Sequence, residues 1–394
     1  MIRFDNIRFN IGLAFVVIGV PLGMLLNFVF GGAWSQIIMA ISLLAILPTK
    51  FFSCFNLRFN RIMLTLLAFQ IYMFCFLVLT YSGPDYMKYL FFHLYVISLI
   101  FILNANTQLK NVNFTKTTYV LSSILTVVFA YFHYSGIYAA QRAALLDDSI
   151  LDVFTMNMAA FINIVCCVIF FREKNRLGKI LVCVLMFLDI YVIISSHKRS
   201  FFISVLLVVV LLLWKNKRYI KQAAGTVFAL VFFFCFFDSM RETAMEIITN
   251  AIDGLKNIYG SSYVSFDVND SSAHRALNLR KTLQYVDKNY SFFNYIYGYR
   301  YLFAWIDNPL LESYLDMGVA GFAFYFYLII VYPMKRIKRM SINDECVFLL
   351  LMMTVVNIVV CITNNNPYQY FAYTPICLLA IHEKRALLHE NSYL

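Results

Sequence analysis

Long apolar runs follow one another along most of this chain, separated by short polar connections. A helix that crosses a bilayer needs about 20 mostly apolar residues, with a range of about 17–25. Twelve runs approach that length; the second, the eighth and the last are short, so the pattern also fits eleven. The runs are 11–30, 33–48, 62–80, 89–103, 117–133, 153–171, 180–195, 200–214, 222–237, 309–333, 345–363 and 368–382. This pattern predicts an all-α, polytopic membrane protein with 11–12 transmembrane helices.

The composition supports the same class. Of the 394 residues, 61% are hydrophobic and 13% are charged, whereas soluble globular domains carry about 25% charged residues. We therefore expect residues 1–394 to form a single integral membrane domain. The first run follows Arg3 and Arg8 as in a signal peptide. It is longer than a usual signal-peptide core and lacks a convincing cleavage site, so we expect it to be retained as a helix.

Lysine and arginine are distributed unevenly between the two sides of the predicted bundle. If the N-terminus is cytoplasmic, 21 of the 32 basic residues fall in inner segments and 11 in outer ones. Cytoplasmic loops normally carry this excess, so both termini are predicted to be cytoplasmic. The net charge of +11 then describes a basic surface facing anionic membrane lipids. It does not indicate a nucleic-acid-binding patch, and no nucleic-acid partner is expected.

The short outer connection Ser195–Ser200 is the clearest exception to this distribution. It places Lys198 and Arg199 side by side on the face where short loops are normally poor in cations. Two interpretations are open: the pair marks the end of a helix, or it binds an anionic ligand on that side. Arg199 is the better candidate for phosphate, because its planar guanidinium offers paired donors.

One outer segment, residues 239–306, is much longer than the others and is expected to form a helical subdomain on the outer membrane surface. Apolar residues recur at helical spacing in two of its stretches, the second preceded by the cap candidates Ser271 and Ser272. These residues are Met245, Ile248, Ile252 and Leu255, then Ala276, Leu279, Leu283 and Val286. The spacing predicts two amphipathic helices joined by a polar turn at 260–270.

An aromatic run, Tyr290–Trp305, closes this segment with nine aromatic residues. Aromatic side chains at this position form either a belt at the membrane interface or a floor on which sugars stack. Under the second interpretation, Tyr299 and Trp305 are candidate substrate-binding residues.

Pro309 predicts the start of the next helix, with Asp307 or Asn308 as its cap. Glu312 and Asp316 then share one face of the first turns. They are either acids favoured by the helix dipole or substrate contacts. Asp307 lies where the long outer segment meets the membrane, and a carboxylate there is a candidate general base.

Five further polar residues are weaker candidates. Arg275 and Arg280 lie on the second predicted outer helix, about 140° apart, so they do not share a face. Each contacts substrate or simply faces solvent, as does His274. Arg142 lies in the outer loop 134–152. Asp189 lies inside an apolar run, where an ionisable residue is either functional or hydrogen-bonded to neighbouring helices.

Established nucleotide, redox and metal motifs are missing from the sequence. It contains no P-loop, GxGxxG, HExxH, CxxC or GxSxG pattern, and its nine cysteines show no metal-ligand spacing. We expect no metal and no cofactor.

Three segments of this sequence resemble bacterial O-antigen polymerases of the Wzy type and, more distantly, the O-antigen ligases. The first is the Ser/Arg segment Ile193–Ser200 at an outer helix end. The second is the long outer loop with Arg275 and Arg280 on a helix. The third is Asp307–Gly321, a polar residue, Asn, an apolar stretch and two glycines opening a helix. Its first position is Asp307, as in many polymerases, where ligases usually have His.

The resemblance implies a GT-C-like glycosyltransferase of the bacterial inner membrane, with its large loop in the periplasm. It would transfer a growing glycan from undecaprenyl diphosphate to a hydroxyl of an incoming lipid-linked repeat unit. Arg199, with Arg275 or Arg280 and supported by Lys198, would hold the diphosphate, and Asp307 would accept the acceptor's proton. The expected partners are the lipid-linked donor and acceptor, membrane lipids and a chain-length regulator.

Two other functions fit the same features less well. An O-antigen ligase shares the fold and the lipid donor, and Asp307 in place of His is the argument against it. A flippase for lipid-linked oligosaccharides also has about twelve helices, but it is expected to carry polar residues along a central path. Among the predicted spans, only the one containing Asp189 clearly carries such a residue.

Overall fold

The computed structural model describes residues 2–48, 59–105, 113–137, 153–171, 175–196, 199–215, 271–303, 306, 308–338, 344–363 and 366–390. Throughout these residues the regular elements are helical. They are α1 Ile2–Phe30, α2 Trp34–Ile46, α3 Arg61–Thr80, α4 Tyr86–Ala105, α5 Thr115–Tyr134, α6 Val153–Phe170, α7 Arg176–Ser195, α8 Arg199–Lys215, α9 Ser271–Asn289, α10 Phe292–Tyr297, α11 Pro309–Phe326, α12 Tyr332–Lys338, α13 Glu345–Thr363 and α14 Thr374–Glu390. The helical class is therefore confirmed.

Six stretches of helix in the described residues are long and apolar enough to cross a membrane. They are Asn6–Phe30, Arg61–Thr80, Tyr86–Ala105, Val153–Phe170, Arg176–Ser195 and Pro309–Lys338. Three shorter apolar helices accompany them: Trp34–Ile46, Ser200–Leu212 and Glu345–Cys361. The chain is thus a membrane-embedded helical protein. The predicted span 222–237, the first predicted outer helix and the turn 260–270 lie outside the described residues.

The bundle is built around α6. Within its span, 89% of the residues are buried, against 44% in each of the other five long spans. An apolar helix with lipid on one side must leave part of its surface exposed, so this difference identifies α6 as the central helix. It packs against α1, α5, α7, α8 and α13.

Contacts between helix termini define two ends of the bundle. At one end, which we call the site end, Phe28 of α1 meets Phe132 of α5 (ring centroids 5.5 Å), and Tyr81 after α3 meets Tyr89 of α4 (6.2 Å). At the opposite end, Thr115 of α5 donates to Glu345 of α13 (3.0 Å). Helices α1, α3 and α5 therefore end at the site end, where α4 begins, and α5 and α13 begin at the opposite end, as expected for a chain that crosses a membrane repeatedly.

Two helices begin clearly away from the predicted residue. The first helix begins at Ile2 and not at residue 11, because the charged residues before the apolar run continue the helix; Arg8 donates to the carbonyl of Leu47 (2.9 Å). The last helix begins at Thr374 and not at residue 368. A 3₁₀ turn precedes it, and Pro375 occupies the first turn, where proline's fixed φ is favourable.

The predicted span 309–333 is helical but not continuous. Inside α11, Gly318 has φ 67° and ψ −169°, and a π-helical turn at Tyr327–Val331 joins α11 to α12. The kink follows from the glycine, since a φ of this sign is strongly disfavoured for other residues. The kink separates the first turns of the span, where the candidate site lies, from the rest of the helix.

Candidate functional site

The start of α11 follows the local rules for a helix N-terminus. The Asn308 side chain accepts a hydrogen bond from the amide of Leu311 (3.1 Å), and Pro309 occupies the first turn. Asn308 is therefore the cap, one of the two predicted. This cap fixes the direction in which Glu312 and Asp316 leave the helix.

Glu312 and Asp316 lie on one face of α11, as predicted, and both are completely buried. Glu312 Oε1 accepts a hydrogen bond from the backbone amide of Ile306 (2.7 Å). Asp316 Oδ2 accepts one from the phenol of Tyr368 (2.7 Å). Burying a carboxylate is costly unless it is hydrogen-bonded. The two acids therefore anchor the connection before α11 and the segment between α13 and α14.

Tyr368 links three parts of the site. Its hydroxyl donates to Asp316 and accepts from the backbone amide of Leu302 (3.3 Å). Its ring packs on that of Tyr301 at a centroid distance of 3.9 Å. Burial raises the pKa of Tyr368 well above its ordinary value, and the nearby charge of Asp316 raises it further. The phenol therefore stays protonated and acts as a donor.

Tyr301 is held from the opposite side by two membrane helices. Its hydroxyl lies 2.8 Å from Nε2 of His93 on α4, whose Nδ1 lies 3.0 Å from Oε1 of Gln70 on α3. Its backbone amide donates to Oγ1 of Thr80 (2.9 Å). Burial raises the pKa of Tyr301 well above its usual value. A chain of hydrogen bonds thus runs from Gln70 through His93 to Tyr301, whose ring packs on that of Tyr368.

The start of α8, at Arg199, lies at this same end of the bundle. Phe201 in its first turn packs against Phe154 of α6 (5.2 Å), which packs against Phe371 (4.8 Å). Phe371 belongs to the same short segment as Tyr368. The Ser/Arg segment and the Asn308–Pro309 segment, more than a hundred residues apart in sequence, are therefore brought to one end of the fold.

An aromatic surface lies beside the buried acids. It consists of Tyr285 on α9 and Tyr290, Tyr299 and Phe303, which follow α9. The rings of Tyr290 and Tyr299 stack (5.1 Å, 26°), and the hydroxyls of Tyr285 and Tyr299 are 2.7 Å apart. The hydrogen bond to Tyr299 raises the pKa of Tyr285. These partly exposed rings offer both flat faces and hydroxyls to a ligand.

The second predicted outer helix is present as α9, Ser271–Asn289. Val286, on its predicted apolar face, packs with Ile306 and Leu315, and Leu279 lies against the same cluster. Leu283 is 45% exposed and does not belong to that cluster. The helix therefore lies over the first turns of α11 on a narrower face than predicted.

The structure describes the predicted site residues to different extents. Arg142, Lys198, Trp305 and Asp307 lie outside the described residues, and for Arg199, His274 and Arg275 only the backbone is described. Arg280 is exposed on α9 and forms no hydrogen bond or ion pair with any other described residue. Tyr299 belongs to the aromatic surface. Glu312 is brought next to the residue that precedes Asp307.

Asp189 belongs to a separate cluster within the membrane. It accepts hydrogen bonds from Thr126 of α5 (2.6 Å) and from the amide of Asn163 on α6 (3.0 and 3.2 Å). Ser122 and Ser123 contact Asn163 in turn (3.0 and 2.9 Å). Of the two interpretations offered by the sequence, the observed contacts are those of a carboxyl that ties α7 to its neighbours.

Five residues of the site were not singled out from the sequence: Gln70, Thr80, His93, Tyr285 and Tyr368. Gln70 and His93 are polar residues inside predicted spans, and the rule that drew attention to Asp189 applies equally to them. Tyr368 follows Asn364-Asn365-Asn366-Pro367, a strong turn signal. The apolar run instead predicted a helix that begins at Tyr368, within this turn.

Replacing Tyr368 by phenylalanine is expected to lower the melting temperature of the detergent-purified protein. The change removes the donor to Asp316 and the acceptor for Leu302, and losing one partner of a buried hydrogen bond costs about 1–3 kcal/mol. Tyr370→Phe is the matched control. Tyr370 is also buried, but its hydroxyl forms no hydrogen bond with any described residue. Equal shifts for the two variants would contradict the assigned role of Tyr368.

Among the described residues, no group of three or more His, Cys, Asp or Glu side chains is placed to hold a metal ion. Comparison of the chain with protein-family models, curated proteins and solved structures finds no match. The chemistry of the site is therefore inferred from its own residues.

Proposed function

We propose that this protein polymerises undecaprenyl-diphosphate-linked O-antigen repeat units by glycosyl transfer at the periplasmic face of the bacterial inner membrane. One observation carries the proposal. The two segments with the strongest resemblance to O-antigen polymerases, Ile193–Ser200 and Asp307–Gly321, belong to helices that start or end at the site end of the bundle. A cationic pair and a helix start with buried acids would thus serve one site.

The charge distribution supports a periplasmic orientation of the site end. Basic residues are concentrated at the opposite end, in the first or last turns of its helices. Those whose side chains are described are Arg8, Arg61, Lys116, Arg176, Lys179, Lys335, Arg336 and Lys338. By the positive-inside rule that end would face the cytoplasm, and an arrangement of twelve spans would place both termini there. The site end and the loop containing α9 and α10 would face the periplasm.

The reaction needs little beyond positioning and charge stabilisation. The oxygen of an acceptor hydroxyl bonds to the anomeric carbon of the donor while the bond from that carbon to the diphosphate oxygen breaks. Undecaprenyl diphosphate leaves with the bonding electrons, and the hydroxyl proton passes to a base. Negative charge grows on the diphosphate, so preorganised cations lower the barrier. The donor carries its own leaving group, and no sugar nucleotide takes part.

Arg199 and Lys198 would bind the diphosphate, with Arg275 or Arg280 from α9. Arg199 is the first residue of α8, so its backbone lies at the helix N-terminus, which itself favours an anion. Arg280 is exposed and would have to turn toward the ligand when the ligand binds.

Asp307 would accept the proton of the acceptor hydroxyl. The residues on either side of it are both anchored: Ile306 donates its amide to Glu312, and Asn308 caps α11. A base must be held within hydrogen-bond reach of the proton that it removes. Glu312 therefore acts as a positioning residue, whereas the sequence suggested a direct substrate contact.

The aromatic surface formed by Tyr285, Tyr290, Tyr299 and Phe303 would support the glycan. Its rings provide faces for sugar stacking, and the paired hydroxyls of Tyr285 and Tyr299 provide hydrogen-bonding groups. The lipid tails of donor and acceptor would remain in the bilayer, and a chain-length regulator would be a further partner.

Deletion of the gene in its host tests the proposed function directly. A polymerase mutant is expected to display single repeat units on its surface lipid and no long chains, because the transport and attachment steps remain intact. Surface glycans are compared on a gel with those of the parent and of a strain carrying the gene on a plasmid. Loss of all repeat units would indicate a flippase, and full-length polymer left on the carrier lipid would indicate a ligase.

A further inference from the structure

We infer that residues 291–303 form a re-entrant segment at the site end, with Phe292 and Phe293 of α10 within the membrane leaflet in contact with lipid acyl chains. After α10 the chain returns to the water boundary at Tyr301, next to the exposed Arg300. The inference depends on α3 and the span Pro309–Lys338 crossing a membrane, which their length and composition support. The segment shares Tyr299 and Phe303 with the proposed glycan surface, but the inference does not depend on the proposed glycosyl transfer.

The depth of the segment is measured first against α3. The hydroxyl of Tyr72 donates to the carbonyl oxygen of Met317 (3.0 Å) and lies 3.4 Å from that of Tyr297. Tyr72 precedes the end of α3, Thr80, by eight residues. At a rise of 1.5 Å per residue, the backbone of Tyr72, whose hydroxyl contacts Tyr297, lies about 12 Å along the helix axis from the end of α3.

The depth measured against α11 agrees. A Cβ atom on Gly298 would overlap the carbonyl oxygen of Asp316, and one on Gly318 would overlap that of Ile296. Gly298 thus lies directly against the kink of α11, at seven to nine residues from Pro309. That separation corresponds to about 11–14 Å. Half of the hydrocarbon core of a bilayer is about 15 Å.

Polar residues locate the water boundary near the upper ends of these helices. The connection between α3 and α4 contains Asp85, and Lys88 is exposed in the first turn of α4. The re-entrant segment returns to this level at Tyr301, whose amide donates to Thr80 (2.9 Å). The four residues from Tyr297 to Tyr301 can span about 13–14 Å when extended, enough for the return.

The irregular backbone of the segment is hydrogen-bonded as a membrane environment requires. Backbone groups at membrane depth must find partners within the protein. The amide of Gly298 donates to Asn294, that of Tyr299 to the carbonyl of Asp316 (both 2.9 Å), and that of Leu302 to Tyr368. Carbonyl groups next to the Gly318 kink also accept hydrogen bonds. Those of Leu315 and Met317 accept from the phenols of Tyr290 and Tyr72 (3.0 Å each).

The outer face of α10 is apolar and exposed. Phe292 is 74% exposed, Phe293 68% and Tyr297 66%. Apolar residues beside the contacts with Tyr297 and Gly298 are also exposed on the two flanking helices, at Ile71 of α3 and Val319 of α11. The three surfaces belong to elements that pack together. We therefore assign one occupant to all of them, the acyl chains of the surrounding leaflet.

Spin labelling in liposomes tests this placement. A nitroxide is attached through a keto amino acid, which leaves the native cysteines untouched, at position 293 of the full chain. Matched labels at Lys288, exposed on α9, and Ile71, exposed on α3, serve as water and lipid references. Collisions with oxygen, which concentrates in hydrocarbon, are compared with collisions with a water-soluble nickel chelate. Position 292 provides a second label if the first disturbs folding.

The expected result is a depth parameter, the logarithm of the oxygen-to-nickel collision ratio, that is positive at residues 293 and 71 and negative at residue 288. A negative value at residue 293 would place α10 in water and overturn the inference. Low collision rates with both reagents would mean that protein covers the face, and this too would overturn it. Both outcomes leave the proposed glycosyl transfer standing, since the gene-deletion phenotype tests that separately.

Discussion

Replacing Arg199 by alanine is expected to abolish long-chain polysaccharide while the protein still inserts into the membrane. Under the proposed function, Arg199 stabilises the negative charge that grows on the departing diphosphate. Loss of one preorganised donor at such a position lowers a rate about 10²–10³-fold. The product is examined as a ladder of surface polysaccharide on a gel, and the protein as an immunoblot of the membrane fraction.

Two further variants separate the chemistry of Arg199 from its charge and from helix initiation. Arg199→Lys is expected to give shortened ladders, because the charge remains but the forked donor geometry is lost. Arg176→Ala is the matched control. Arg176 is the first residue of α7, as Arg199 is of α8, but it lies at the opposite end of the bundle. A normal ladder from Arg199→Ala, or an equal loss from Arg176→Ala, would contradict the diphosphate-binding role.

Gly318→Ala is expected to be the most destabilising single substitution at the site. The φ of 67° and ψ of −169° at Gly318 belong to a region that is essentially restricted to glycine, and occupying it with another residue costs about 1–3 kcal/mol. The new Cβ would also overlap the carbonyl of Ile296 and push the re-entrant segment away from α11. Overpacking of this kind costs about 1–3 kcal/mol more. Thermal unfolding of the purified protein in detergent measures the loss.

Gly136→Ala is the control for this substitution. Gly136 also has a positive φ, of 71°, but a Cβ there would meet no described atom within 4 Å. It therefore carries conformational strain without overlap. If Gly318→Ala lowered the melting temperature no more than Gly136→Ala, then close packing of the re-entrant segment against the kink would not contribute to stability.

The local parts of the fold followed well from the sequence. Apolar runs located most helices to within a few residues, because membrane solvation acts on composition over about 20 residues. The start of α11 was predicted to within one residue, since proline and a capping side chain act on neighbouring amides. The shared face of Glu312 and Asp316 followed from helical periodicity alone. At residue 368 the apolar composition predicted a helix start, whereas the preceding Asn-Pro turn signal agrees with the later start at Thr374.

The site itself could be anticipated only in part. The acids of α11 were identified, but their partners were not, because Tyr368 is 52 residues from Asp316. The interaction of His93 with Tyr301 joins residues 208 positions apart. Periodicity within one segment carries no information about such pairs. The sequence left Glu312 as either an acid favoured by the helix dipole or a substrate contact, and in the fold it anchors the amide of Ile306.

The aromatic run Tyr290–Trp305 also shows the difference between what the sequence predicts and what the fold decides. Its composition indicated either an interfacial belt or a stacking floor, and both descriptions assumed that it lay over the membrane surface. In the fold, residues 291–303 lie beside α3 and α11, where the amide of Tyr299 donates to the carbonyl of Asp316 near the Gly318 kink and the phenol of the preceding Tyr290 donates to that of Leu315.

The sequence by itself determined which stretches are helical and apolar, where α11 begins, and which end of the bundle is poor in basic residues. Each of these properties depends on neighbours along the chain. Only the tertiary structure decided that Glu312, Asp316, His93 and Tyr368 meet, and how deeply residues 291–303 descend. Those outcomes depend on hydrogen bonds between distant segments, which form only where packing brings a donor and an acceptor together.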